Sequence, residues 1–361
     1  MIPVTKTYLP PLNKYIKYLE QIWCNGWITN NGELLRLLEN KLSHYFNSPH
    51  FYIVNNGTIA LQIAIKAFDL KGDIITTPFS YVATTSSIKW ENCNPIFADI
   101  DDKTFTIDPE NIINVITPKT TAILATHVYG NPCNIEAIND IAQKYNLKII
   151  YDAAHCFGVK YKNNYLVNYG DASIISFHAT KLFHTVEGGA LITPHNEIAH
   201  RFCYMRNFGH NGEENFFGIG INGKNSEIHA AMGLCILDDI EKILAKRKAQ
   251  FLKYYNFFEK YIPEIQLLTI RENTEYNYAY SPIVLPNEEL LTKIKNKLNQ
   301  NNIFPRRYFY PSLNTLKYIR YKKLPVCESI SKRILCLPMY YELSDKEIDM
   351  ICDLIYEEFK K

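Results

Sequence analysis

Between Phe51 and about Thr193 the chain alternates short apolar runs with amphipathic stretches, and this alternation limits the fold more than any other feature. The runs Phe51–Asn55, Asp73–Thr76, Pro95–Ala98, Thr121–Thr126, Lys148–Tyr151, Ala172–Phe177 and Ala190–Thr193 read as strands. Thr58–Phe68, Tyr81–Trp90 and Ile135–Tyr145 read as helices between them. Near-continuous apolar strands separated by helices predict an α/β fold, with a mostly parallel sheet covered on both faces. Ligands of such sheets collect beyond the carboxyl ends of the strands, so the residues there are the functional candidates.

The remainder of the chain suggests a second, smaller unit. At 361 residues the protein exceeds the roughly 250–300 at which single cores stop growing. We expect a large domain over 1–240 and a small one over 241–361. Two helices, Lys14–Cys24 and Glu33–Phe46, precede the alternating block. After it, Ser226 is placed to cap a long helix running toward Phe251, with Glu227 in the first turn. A strand near Tyr278–Val284 and helices at Glu288–Asn299 and Asp345–Phe359 then give an α+β pattern.

Composition excludes several classes. Charged residues make up 21% of the chain and the net charge is only +2, so no basic face invites nucleic acid. No run approaches the ~18 apolar residues of a membrane span, and Met1–Lys6 has no apolar signal core. The nine cysteines are scattered singly and lack a Cys-x-x-Cys pair, which argues against a disulfide framework or a metal site. A cytoplasmic protein is expected.

Four strand ends carry chemistry. Asn55-Asn56-Gly57-Thr58 lies between a strand and a helix; a glycine, a hydroxyl and free helix N–H groups make a phosphate cradle, or more simply a capped turn. In Tyr151-Asp152-Ala153-Ala154-His155, a carboxylate after a buried strand calls for a cation, although it would also serve as a helix cap. Ser176-Phe177-His178-Ala179-Thr180-Lys181, followed by Gly188-Gly189, presents a lysine, the residue that forms imines with aldehydes. In Pro78-Phe79-Ser80-Tyr81 an aromatic at a helix start would stack on a flat ring or pack in the core.

In this order the motifs resemble the DegT/StrS family of sugar aminotransferases, which have the type I (aspartate aminotransferase) fold of pyridoxal-phosphate enzymes. Gly26-Trp27-Ile28-Thr29, Thr126-His127-Val128-Tyr129-Gly130 and Gly220-Ile221-Asn222 extend the resemblance along most of the chain. It implies pyridoxal 5'-phosphate as cofactor and Lys181 as the catalytic, Schiff-base lysine. Asp152 would face the pyridine nitrogen and His155 the phenolic oxygen. Gly57, Thr58 and Ser176 would hold the phosphate, Tyr81 would stack on the ring, and Asn222 would reach the cofactor of a second subunit, implying a homodimer.

Some members carry His in place of the lysine and dehydrate; Lys181 favours transamination. One departure is Asn222-Gly223-Lys224-Asn225, where the family often has Asn-x-Arg-Met. The motif around Lys181 and the run Arg306-Arg307-Tyr308-Phe309-Tyr310-Pro311 look like those of enzymes that aminate dTDP-linked 6-deoxy keto sugars with glutamate as donor. The viosamine-forming members, which act at C4, look most similar, and 3-keto enzymes are the rival. His184 and Tyr310 would line the sugar pocket, and Arg306 or Arg307 would hold the diphosphate. Two other classes stay open: a different pyridoxal enzyme, and a non-catalytic regulator that keeps the fold.

Overall fold

The computed structural model describes residues 1–360. Its main sheet has seven strands in the spatial order Phe51–Val54, Gly189–Ile192, Ala172–Ser176, Lys148–Asp152, Thr120–Thr126, Asp73–Thr76 and Asn94–Phe97. Gly189–Ile192 runs antiparallel to both its neighbours, and all the other pairings are parallel. Alternate residues of each strand serve opposite faces, as the period of a strand requires. Ile74, Leu124, Ile150 and Ile174 pack on one side with Ala60, Leu61 and Ala64 of helix Gly57–Ala67. Ile75, Ile123, Ile149 and Ile175 pack on the other with Leu35, Leu38 and Leu42 of helix Glu33–Tyr45.

A second core forms around Phe251, Tyr254, Phe258, Ile283, Leu335 and Ile351. Here Ser281–Val284 pairs antiparallel with Gln266–Leu267 and with Ile334–Leu337, under helices Glu288–Gln300 and Asp345–Phe359. The chain also begins in this core. Ile2–Pro3 pairs parallel with Ile303–Phe304, and Ile2 is buried.

Most expected elements recur with ends moved by a residue or two; three differences have physical causes. The helix expected from Ser226 toward Phe251 is two helices, Glu227–Leu237 and Ile240–Tyr261. They part at Asp238 and Asp239, whose carboxylates turn to the N-terminal segment. Asp238 pairs with Lys14 at 3.0 Å, and Asp239 accepts from the Tyr8 hydroxyl at 2.8 Å. Aspartate is a weak helix former and gives way readily to such side contacts. The strand expected from Tyr278 begins only at Ser281, because Tyr278 takes a left-handed φ of 54° that no strand accommodates. Asp152 is the last residue of its strand rather than the residue after it.

Ser226 does cap the first of the two helices, its side chain accepting from the His229 N–H. Glu227 has a larger task. It is fully buried, and its two oxygens accept from the N–H groups of Leu34 at 2.7 Å and Leu35 at 2.9 Å. A carboxylate there satisfies the free N-terminal donors of helix Glu33–Tyr45 and suits its dipole. Glu227→Ala should lower unfolding free energy by about 2–3 kcal/mol, since both donors would be stranded. Urea denaturation checks this, and an unchanged midpoint would refute it.

Candidate active site

The carboxyl ends of the strands meet at a cleft lined by Ala154, His155, Ser176, Thr180, Lys181 and Tyr280. Val4 and Thr5, brought in by the N-terminal strand, complete one wall. Lys181 lies just beyond Ala172–Ser176 on a turn closed by its N–H on the His178 carbonyl at 2.8 Å. Its Nζ donates to the Tyr280 hydroxyl at 3.3 Å. Burial pushes this amine down to about 8, against the pull of the Asp152 carboxylate. Near pH 7 roughly a tenth of it is therefore neutral, against about one part in three thousand for an ordinary lysine.

Asp152 is 5% exposed at the end of the sheet's middle strand. One oxygen accepts from the Thr84 hydroxyl at 2.6 Å and the other from the Ala154 N–H at 3.1 Å. Burial raises its carboxyl above the ordinary range, while these two donors and Lys181 oppose the rise. Desolvation thus disfavours both charges, and each charge supports the other. His155 is fixed differently. Its Nδ1 accepts from the Tyr129 N–H at 3.0 Å, which assigns the ring proton to Nε2. Burial depresses its pKa well below the usual value, so the ring is neutral. Phe309 lies parallel to it at 5.8 Å, and Tyr280 meets it edge-on at 4.8 Å.

The Asn55–Thr58 turn lies beside this group. Asn56 caps helix Gly57–Ala67, its side chain accepting from the Ile59 N–H at 2.8 Å. A side chain at Gly57 would stand 3.2 Å from the Cβ of Ser176 and 3.5 Å from its Oγ, so cradle and serine adjoin. Gly189 is required by close approach: a Cβ there would come within 2.7 Å of the Gly57 nitrogen. Thr58 and Tyr81 are exposed, Thr58 in its helix's first turn and Tyr81 at the cap of Val82–Trp90. Tyr81 also bears on the protonation of Lys181, placing it beside the same cleft.

Other expected residues lie elsewhere. His184 is buried and does not line the cleft; its Nε2 donates to the Tyr8 carbonyl at 2.8 Å, clamping the segment that carries Val4 and Thr5. Arg307 is also outside the lining. Its Nη2 donates to Glu288 at 2.9 Å and to the Lys332 carbonyl at 2.7 Å, and its guanidinium lies 3.6 Å over the exposed Tyr310 ring. The ion pair and the stacked ring hold this arginine within its own unit, while its Nε is buried with no partner among the described residues. Asn222 is exposed; its carbonyl accepts from the Asn55 side chain at 3.3 Å and its Oδ1 from Lys224 at 2.6 Å. Tyr308, in the run Arg306–Pro311 singled out above, does line the cleft, but no sequence motif marks Tyr280 for the cleft or Thr84 for Asp152. Tyr280 sits in a tyrosine-rich approach to a strand, where packing is the plainer reading, and Thr84 stands in an unremarked helix turn.

Compared with known proteins, the chain matches the DegT/DnrJ/EryC1/StrS aminotransferase family over residues 12–356. It is a member of that family. It is 42% identical to a dTDP-4-amino-4,6-dideoxy-D-glucose transaminase of Shigella dysenteriae, over 98% of both chains. A transaminase of the same name from Escherichia coli is 39% identical, again over 98% of each. The crystal structure of DesI in the presence of its TDP-sugar product superposes with a TM-score of 0.93 at 27% identity, covering 99% of this chain and 92% of that one. The fold is accordingly that of the sugar aminotransferases, and the chain is an aminotransferase.

The Lys181 amine should therefore titrate near 8 when followed by NMR on the isotope-labelled chain. Asp152→Asn should move the midpoint lower still, because the carboxylate holds the protonated form up. A midpoint in the ordinary lysine range would contradict the burial argument.

Proposed function

We propose that the protein is a pyridoxal 5'-phosphate-dependent aminotransferase that transfers an amino group from glutamate to dTDP-4-keto-6-deoxyglucose. The product would be dTDP-4-amino-4,6-dideoxyglucose, a sugar for surface polysaccharide. The observation that carries this is a half-buried amine, held down to about 8, sharing a cleft with a buried carboxylate whose hydrogen-bond donors are both neutral. Such a carboxylate has lone pairs to spare for a cationic ring nitrogen.

The residues present fit the cofactor group by group. Gly57, Thr58 and Ser176 would take the phosphate, in a cradle where a further Cβ at Gly57 would crowd Ser176. Asp152 would face the ring nitrogen, the Nε2–H of His155 the phenolic oxygen, and Tyr81 the ring face. When bound, the cofactor supplies an aldehyde that captures amines and a ring that draws electrons from the adjoining carbon. Lys181 would hold it covalently at rest. Once displaced by the amino donor, Nζ would take the proton from the donor's α-carbon and later return one to the sugar carbon, a task suited to a pKa near the working pH. His155, being neutral, donates without adding charge.

The 4-keto substrate is supported by the names of the two transaminase relatives. Amination at C3 remains the alternative. A pocket that pairs the sugar hydroxyls can separate the isomers by ~10⁴-fold. Lys181 and Asp152 together speak against a regulator that only keeps the fold.

A homodimer is supported by exposed apolar side chains on two segments. Trp23 stands near the end of helix Leu12–Asn25 with Trp27 and Ile28 just after it, and Phe208, Phe216, Phe217 and Ile219 stand on the loop after helix Asn196–Met205, all accessible in a single chain. Patches of this kind mark protein interfaces. Asn222, on the same outer loop, would then reach the cofactor phosphate of the second subunit. The cysteines are all unpaired, in keeping with a cytoplasmic setting.

Three measurements test this reading. Lys181→Ala should abolish transamination and the visible absorbance of the covalently held cofactor; an active Lys181→Ala protein would sink the mechanism. With glutamate, catalytic efficiency on dTDP-4-keto-6-deoxyglucose should exceed that on the 3-keto isomer by at least about a hundredfold, and the reverse order would reassign the substrate. Heterodimers of Lys181→Ala with Asn222→Ala should regain activity through one intact site, whereas inactive, verified heterodimers would place Asn222 outside the partner's site.

A further inference from the structure

We infer that a buried line of three hydroxyls, from Thr126 through Ser80 to Thr84, holds the Asp152 carboxylate charged and aimed at the cofactor's ring nitrogen. The inference rests on the cofactor reading proposed above. Thr126 ends its strand, Ser80 lies in the loop after Asp73–Thr76, and Thr84 is in the first turn of Val82–Trp90. Their exposures are 1%, 2% and 0%. The Thr126 hydroxyl donates to Ser80 Oγ at 3.2 Å, Ser80 Oγ and Thr84 Oγ1 are 2.8 Å apart, and Thr84 donates to Asp152 at 2.6 Å.

The direction of this line follows from counting hydrogens. A hydroxyl has one to give. Thr84 spends its hydrogen on Asp152, so Ser80 must give its own to Thr84, and Thr126 gives to Ser80. Every hydroxyl dipole then points toward the carboxylate, and such chains strengthen bond by bond. If Asp152 took up a proton on that oxygen and donated to Thr84, the line would have to reverse. Thr126 would then hold a buried hydrogen, and among the described residues its hydroxyl has no partner but Ser80. That stranded donor makes the acid form costly. The network thus works against burial, which alone favours the uncharged acid. Thr84, Ser80 and Thr126 are positioning residues: none borders the cleft, and of the three only Thr84 hydrogen-bonds to the Asp152 carboxylate, which Thr126 flanks across the strand pair.

The test uses holoenzyme loaded with pyridoxal phosphate carrying nitrogen-15 in the ring, whose chemical shift reports protonation. Wild type and Thr84→Ser should show a protonated ring nitrogen. Thr84→Val should bring its apparent pKa down by about one unit and weaken cofactor retention roughly tenfold, the loss expected for one charge-assisted bond. Ser80→Ala should shift both in the same direction by about threefold, because it acts through Thr84. Thr84→Val with the shift and affinity of wild type would overturn the inference while leaving the aminotransferase reading intact. A wild-type protein that holds the cofactor with an unprotonated ring, or does not hold it, would overturn both. Should Thr84→Val fail to fold, Ser80→Ala and Thr126→Val decide, and wild-type shifts in both would end the proposal.

Discussion

A carboxylate buried at the end of the middle strand is the constraint to which the rest of the site answers. Left alone there, Asp152 would be pushed toward its uncharged acid form, since burial disfavours the charge. What keeps a charge feasible is a short set of local donors and one nearby amine. None of these is an arginine or a lysine locked in an ion pair, so the charge is left available. A sheet whose strands mostly run the same way makes this arrangement possible. It gathers the ends of Thr120–Thr126, Lys148–Asp152 and Ala172–Ser176 at one edge, where loops from sequence-distant elements converge.

Lys181 experiences the same burial with the opposite consequence. Desolvation makes the amine more nucleophilic near neutrality, whereas it makes the carboxylate harder to ionise. The two groups moderate each other, and that balance is useful to a catalyst that must both capture an aldehyde and move protons. His155 stands apart from the exchange. Its backbone bond to Tyr129 fixes the tautomer, and burial keeps it from charging at any ordinary pH.

How much of this was legible depended on whether a residue's role is local. Strand and helix alternation is a property of neighbouring residues, so the main sheet could be read with ends shifted by only a residue or two. Lys181, Asp152 and Ser176 each follow or end a strand, a place that carries functional weight in such sheets. Tyr280 and Thr84 were hidden because their importance comes from contacts across 99 and 68 residues. The split at Asp238–Asp239 was hidden for a related reason, since its cause lies in Tyr8 and Lys14 at the far end of the chain. Arg307 misled in the other direction. A basic pair beside tyrosines suggests an anion site, yet in this structure the Nη2 of Arg307 is engaged by Glu288 and by the Lys332 carbonyl, contacts that the sequence does not announce.

The N-terminal segment joins these observations. Ile2–Pro3 is a strand of the second core, and the Val4 carbonyl accepts from the Met339 N–H at 2.9 Å. A few residues on, the Tyr8 carbonyl is held by His184 of the large sheet's loop, and the Tyr8 hydroxyl by Asp239 at the helix break. The segment is thus pinned at one end to the second core and at the other to the large one, with Val4 and Thr5 forming the cleft wall between. His184, though absent from the cleft, therefore bears on its shape. The buried, depressed imidazole makes a neutral clamp whose grip on Tyr8 does not depend on gaining a proton.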